Sequence, residues 1–321
     1  SKPRWVPRGR AEDLGANAET APTVAAHREQ GGRVYQEDEF DFDANVGGKG
    51  IQYYAVYDGH GGTEAVAFVK PRLRELLIQK LPNAKDGKGV QAALEHALAT
   101  VEVELCEHLR QLCESQVLSE SFVTAGTTAV IAVVSDGTVY TANVGDSRAL
   151  IFDAGELRQL TTDHTPHAER ARLEAMGAEV SDTGYVGGLL QVSRSLDDLA
   201  APQLRKLNGI SPKPSLHTCP IGPDTEFLFL CSDGLYEQMP IIESGKAVRR
   251  SLRSTGDAQA AVKKAVCGAV KGRSCADNAC AVVRCLSGRR RLTKLAMIRP
   301  GRPGSRAMGT FKHRKHFDGF T

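Results

Sequence analysis

Three observations predict an α+β layered domain. Apolar residues recur at helical spacing in some stretches and crowd into short strand-length runs in others. The Asp136-Gly137 pair separates Thr127–Val134 from Thr138–Val144 and marks a hairpin. At least two amphipathic stretches are long enough to cover a sheet face, the pairing that a layered domain requires.

The elements follow in chain order. Residues 1–26 are rich in Ala, Pro, Arg and Glu without a period, and read as an extended or loosely packed N-terminal extension. Tyr53–Tyr57 is a compact apolar strand that stops at Asp58. TEAVAFVKPRLRELLIQKL (63–81) reads as helix, with Pro71 expected to kink or restart it. Asn83–Gly89 is a turn cluster, and VQAALEHALATVEVELCEHLRQL (90–112) a long amphipathic helix. The Asp136-Gly137 hairpin comes next, then a second one built from Ala149–Phe152 and the segment after Gly155. HAERARLEAMG is a short helix closed by Gly177. Glu226–Cys231 is a buried strand, DAQAAVKKAVCGAV (257–270) a helix, and Ala279–Cys285 a last strand. No internal repeat is present. The organisation expected is an extension over 1–26, one domain over 27–285 and a tail over 286–321.

Composition narrows the class. A hydrophobic content of 41% and a charged content of 25% are those of an ordinary globular protein. No apolar stretch approaches ~18 residues, so no membrane span is expected. No signal-peptide hydrophobic segment opens the sequence, and the basic start runs at once into Glu12 and Asp13 rather than on into a transit peptide. The 8 Cys form no Cys-x-x-Cys pair and no zinc spacing with His, which points to free thiols in a reducing, intracellular compartment. Cytoplasm, nucleus and mitochondrion stay open. The net +3 is uneven: residues 286–321 carry ten Lys or Arg against one Asp, leaving −6 for the rest. Such a tail is a solvated basic face or a dock for an acidic partner. Aromatics are too few for a base-stacking surface, so nucleic acid is not an expected substrate. A monomer is expected.

Four acidic islands carry the chemistry. They are Glu37-Asp38, Asp58-Gly59-His60, Asp233-Gly234 and Asp277-Asn278, each at the border of an apolar run. A strand end fixes the backbone while its turn exposes the last side chain, so carboxylates from distant strands can meet. Their repulsion calls for a cation, and an all-oxygen set selects a hard one such as Mg²⁺ or Mn²⁺.

With these islands in order, the chain resembles the metal-dependent serine/threonine phosphatases of the protein phosphatase 2C type, from about Arg33 to about Val283. The matching segments are Gly32-Arg33 with Glu37-Asp38, VYDGHGG, AGTTAVIAVV, ANVGDSRAL, TTDHTP with GAEV, GGLLQVSRSLDD, LCSDGL and CADN. The resemblance implies a four-layer α-β-β-α sandwich, two antiparallel sheets flanked by helices. It implies hydrolysis of phosphoserine and phosphothreonine in phosphorylated proteins by water activated between two ions. Asp58 then bridges both ions, with the Gly59 carbonyl as a further ligand. Asp233 and Asp277 hold one ion, Glu37 contributes to the other, and Asp38 binds metal-bound water. Arg33 captures the phosphate, and His60 donates a proton to the leaving alkoxide. Asp146 and Asp198 help to hold a third, weaker ion.

Some positions depart from the family's pattern. Asp197-Asp198 stands where Gly-Asp is usual, Tyr236-Glu237 where Trp-Asp is usual, and Ala279-Cys280 where Met-Thr is usual. The variable flap, Leu199 to Leu216, is short. Two rivals accompany this reading. One is a catalytically weak, phosphatase-like scaffold or regulatory protein. The other is a cysteine-dependent phosphatase built on Cys285-x-x-Gly288-x-x-Arg291.

Overall fold

Successive side chains of the strand Ile51–Tyr57 face opposite ways, as the pleat requires. Tyr53, Ala55 and Tyr57 pack against helices, whereas Tyr54 and Val56 pack against a second sheet. The structure, a computed structural model, describes residues 23–115, 125–200, 204–273 and 275–286. The basic tail and most of the N-terminal extension lie outside the described residues.

In chain order the elements are β1 (Val24–Glu29), β2 (Glu39–Val46), β3 (Ile51–Tyr57), β4 (Gly59–His60), α1 (Glu64–Lys80) and α2 (Gly87–Glu114). Next come β5 (Gly126–Thr127), β6 (Ala129–Ser135), β7 (Thr138–Val144), β8 (Arg148–Asp153), β9 (Glu156–Gln159) and α3 (Arg170–Ala175). The chain continues through β10 (Leu196–Asp197), β11 (Leu199–Ala200), β12 (Arg205–Lys206), β13 (Ser215–Pro220) and β14 (Thr225–Cys231). It ends with α4 (Asp233–Tyr236), α5 (Ile241–Thr255), α6 (Ala258–Arg273) and β15 (Ala279–Cys285).

Two five-stranded antiparallel sheets result, one in the order β1-β15-β14-β8-β9 and the other β13-β7-β6-β3-β2. Helices α1 and α2 bury their apolar faces on the second sheet, and α5 and α6 bury theirs on the first. Between the sheets, Val56, Val130 and Ala132 meet Leu228, Leu230 and Val282. The layers are therefore α-β-β-α, as expected. A satellite cluster of Leu173, Ala178, Val186, Leu190 and Ile210 anchors the segment that follows α3.

Registers place the loops that matter at one end of both sheets. Glu39 pairs with Tyr57, Val56 with Val130, and Ala129 with Val144. In the other sheet Cys231 pairs with Ala281 and with Arg148, and Glu29 with Ala279. Asp38, Asp58, Asp146, Asp233 and Asp277 all sit just beyond those pairs. Pro71, expected to kink or restart the first helix, lies inside a continuous α1, so the helix does not restart there. Val69, Leu73, Leu76 and Leu77 bury on both sides of it, and Arg72 reaches Glu104 of α2 at 2.6 Å. Packing there outweighs the one lost backbone bond.

Candidate active site

Asp58 begins a tight corner. Its N–H reaches Thr128 Oγ1 at 3.2 Å, and its carbonyl accepts from Thr128 N at 2.9 Å. Thr128 Oγ1 meets Ser147 Oγ at 2.9 Å, which ties the corner to the Asp146 turn. Gly59 is required by close approach: a Cβ there would stand 2.7 Å from the Glu37 carbonyl oxygen. Gly234 is required likewise, because a Cβ would stand 1.9 Å from the Asn278 carbonyl oxygen.

Several side chains that sequence reasoning did not single out build the frame. Asn278 Oδ1 accepts from Glu37 N at 2.7 Å, while its Nδ2 donates to the carbonyls of Gln30 and Tyr35 at 2.7 and 3.0 Å. Ser232 Oγ donates to Asp38 Oδ2 at 2.6 Å and accepts from Cys280 N at 2.9 Å. Tyr236 donates to the Asp146 carbonyl at 3.1 Å, with the Arg148 guanidinium 3.5 Å from the centre of its ring. Only the identity of Tyr236 as a departure from the family's Trp could have pointed to it.

Several of the acidic side chains lie close enough to repel one another. Burial raises the proton affinity of Asp58, and Asp233, Asp38 and Asp146 raise it further by repulsion. Burial likewise pushes Asp38 to about 8, with Asp233 and Asp277 adding to it. Asp146 is pushed to about 7 by burial and by Asp233. Burial raises Asp233, which shares a hydrogen bond with Asp58. Among the described residues no three carboxylates here bring oxygens within 4.8 Å of one another. Buried, mutually repelling oxygen donors are the donor set that a hard divalent cation neutralises.

The remaining residues surround this cluster. Glu37 Oε1 accepts from Gly62 N at 2.7 Å. Arg33 is bidentate on Asp277, with Nε at 2.7 Å and Nη2 at 2.6 Å, and its side chain is 55% exposed. His60 Nε2 lies 2.6 Å from Asp198 Oδ1. Burial opposes charge on His60, but Asp198 overrides it and the imidazole's proton affinity is raised. Asp198 also accepts from Ser195 Oγ. Asp198 therefore serves His60 in this structure.

Asp197 and Asp198 both lie in the left-handed region, at φ 66° and 75°. That conformation explains the glycine usual at the first position. Here Glu102 Oε2 accepts from Asp197 N at 2.8 Å, and Lys206 donates to the Asp197 carbonyl. Cys285, the basis of the rival phosphatase reading, ends β15 opposite Phe227, at the far end of the strand that Asp277 precedes. All 8 Cys are free thiols. Among the described residues no helix is long and apolar enough to cross a membrane.

Comparison with known proteins agrees with this geometry. The family model described as Protein phosphatase 2C matches residues 23–278. Protein phosphatase 1L of Bos taurus is 34% identical over 241 residues, 71% of this chain and 64% of that protein. The integrin-linked kinase-associated serine/threonine phosphatase 2C of Bos taurus is 32% identical over 73% of this chain and 66% of its own length. The chain thus spans about two thirds of these relatives. A serine-threonine phosphatase 2C from Toxoplasma gondii shares the fold, with a TM-score of 0.69, 23% identity and coverage of 82% of this chain and 94% of its own. With the matched segment running from β1 through every acidic strand end to Asn278, the chain belongs to the protein phosphatase 2C family.

Proposed function

We propose that the chain is a Mg²⁺- or Mn²⁺-dependent phosphatase of phosphoserine and phosphothreonine in proteins. The observation that supports this most is the meeting of Asp38, Asp58, Asp146 and Asp233, from strand ends of both sheets, in one buried acidic cluster. Two ions would draw on Asp58, Asp233, Asp277, Glu37 and the Gly59 carbonyl, with Asp38 beside them. When bound, such ions supply a water of lowered pKa and neutralise charge on the phosphoryl oxygens. A third ion would draw on Asp146, with Asp198 free to join only by leaving His60.

The chain's own groups do the rest. Arg33 commits Nε–H and one Nη2–H to Asp277, so both Nη1–H groups and the second Nη2–H can donate to phosphoryl oxygens. His60 holds a proton against Asp198 through Nε2, so its Nδ1 is the atom that can protonate the leaving alkoxide.

The test is phosphate release from a phosphothreonine peptide, with and without Mn²⁺, for the wild type and Asp58→Asn. Activity that requires Mn²⁺ and disappears in the variant supports the reading. Mn²⁺ binding with no turnover on any phosphoprotein assigns the chain to a scaffold role instead. Metal-independent turnover overturns the site assignment and directs attention to Cys285.

A further inference from the structure

A second set of metal-ligand groups lies outside the acidic cleft, where β1 meets α6. His27 and Glu29 are two apart on β1 and share a face. Cys267 of α6 faces them. The contacts are 3.0 Å between His27 Nε2 and Glu29 Oε1, 3.6 Å between Cys267 Sγ and His27 Nε2, and 3.1 Å between Cys267 Sγ and Glu29 Oε1. Among the described residues these three are the group of His, Cys, Asp or Glu side chains whose ligand atoms all lie within 4.8 Å of one another.

The distances match a specific geometry. Zinc binds sulfur at about 2.3 Å and nitrogen or oxygen at about 2.0–2.2 Å, so tetrahedral ligands stand roughly 3.3–3.6 Å apart. The observed triangle lies within about half an ångström of that. A thiolate, an imidazole and a carboxylate together are a borderline-soft set, which selects Zn²⁺ over Mg²⁺. His27 and Glu29 are each 21% exposed, so the triangle is reachable from solvent.

We propose that His27, Glu29 and Cys267 form a Zn²⁺ site with three protein ligands and one position open to water. On binding, the Cys267 thiol proton leaves to solvent, and His27 ligates through Nε2 with its own proton on Nδ1. Lys271 now donates to Glu29 Oε1 at 3.2 Å, with its side chain 67% exposed. Its ammonium swings outward into water to admit the ion.

The position gives the site a structural role. The chain leaves β1 directly into Gly31, Gly32 and Arg33, and leaves α6 towards Cys275 and Asp277. The two exits already touch, through Gly32 N to Cys275 O at 3.1 Å and Arg33 to Asp277. An ion joining β1 to α6 clamps the segments that carry both residues, without touching the cleft.

Co²⁺ titration of the full chain, with Zn²⁺ as competitor, tests this. A sulfur-to-cobalt absorption band should grow to one equivalent and be displaced by Zn²⁺. It should persist in Asp58→Asn and vanish in Cys267→Ser. His27→Gln should weaken Zn²⁺ binding by more than the about 10–100-fold that loss of an outer-shell partner costs. Zn²⁺ should raise the melting temperature of Asp58→Asn, but not of the double variant Asp58→Asn/Cys267→Ser. A band that survives Cys267→Ser, or equal Zn²⁺ stabilisation of the double variant, overturns the proposal. Because Asp58→Asn retains these signals, the outcome does not depend on the phosphatase reading.

Discussion

His60 Nε2 sits 2.6 Å from Asp198 Oδ1, and that carboxylate raises the proton affinity of an imidazole that burial alone would lower. Asp198→Asn removes the charge and keeps the shape. The proton on His60 is then lost at lower pH, so the alkaline limb of the kcat profile should move to lower pH. His60→Gln should abolish that limb and reduce kcat by about 10²–10⁴-fold. An unmoved limb in Asp198→Asn would show that the pair does not govern proton donation.

Asp58 and Asp233 separate activity from stability. Each is raised in proton affinity by burial, so without metal their ionised forms oppose folding. Asp58→Asn and Asp233→Asn should melt no lower than wild type in EDTA. Their activity with Mn²⁺ should fall by about 10²–10³-fold or more, equivalent to several kcal/mol of lost charge stabilisation. Calorimetry in EDTA beside phosphate release checks both halves. A variant that unfolds without metal would contradict the first.

Asp197→Gly should stabilise the protein. The residue is left-handed at φ 66°, and its Oδ2 has no hydrogen-bond partner among the described residues. Relief of that strain is worth about 1 kcal/mol after the entropy of glycine is deducted. The corresponding rise in melting temperature is about 2–4 °C. A drop would mean that the Cys106 thiol contact to Asp197 Oδ1, at 3.3 Å, outweighs the strain.

His164 supplies a further pH dependence, beside the turn that carries Asp146. Burial, then Arg194, hold it down to about 4 from 6.5. Gly145 N donates to its Nδ1 at 3.1 Å, and its Nε2 meets Ser215 Oγ at 2.7 Å, an arrangement for neutral imidazole. The folded state binds the proton less tightly than the unfolded chain. Its stabilising effect is therefore full above pH 6.5 and is lost as pH falls towards 4, by roughly 3 kcal/mol at most. His164→Gln should flatten the fall in melting temperature between pH 6.5 and 4.5. An unchanged slope would place the acid sensitivity elsewhere.

Much of this was legible because the signals were local. Asp136-Gly137 between two β-rich runs marks its hairpin without help, and an acidic residue at the border of an apolar run marks each acidic island. Helix α5 was missed because its buried face is Ser244, Gly245 and Ser251 beside Val248 and Leu252, too polar to announce a core. Edge strand β13, half exposed, hid for the same reason. Ser232 and Asn278 act on partners 194 and 241 residues away, and no window of sequence contains such a bond. The His27, Glu29 and Cys267 triangle escaped a search for spacing because 240 residues separate His27 from Cys267.

The two sheets divide the acidic cluster between them: Asp38, Asp58 and Asp146 flank strands of one, Asp233 and Asp277 strands of the other. The apolar seam of Val56, Val130, Leu230 and Val282 is consequently a caliper. Its thickness sets the gap between opposing jaws of negative charge. Under the proposed two-ion reading, trimming a methylene there, far from any carboxylate oxygen, would change ion affinity through spacing rather than chemistry.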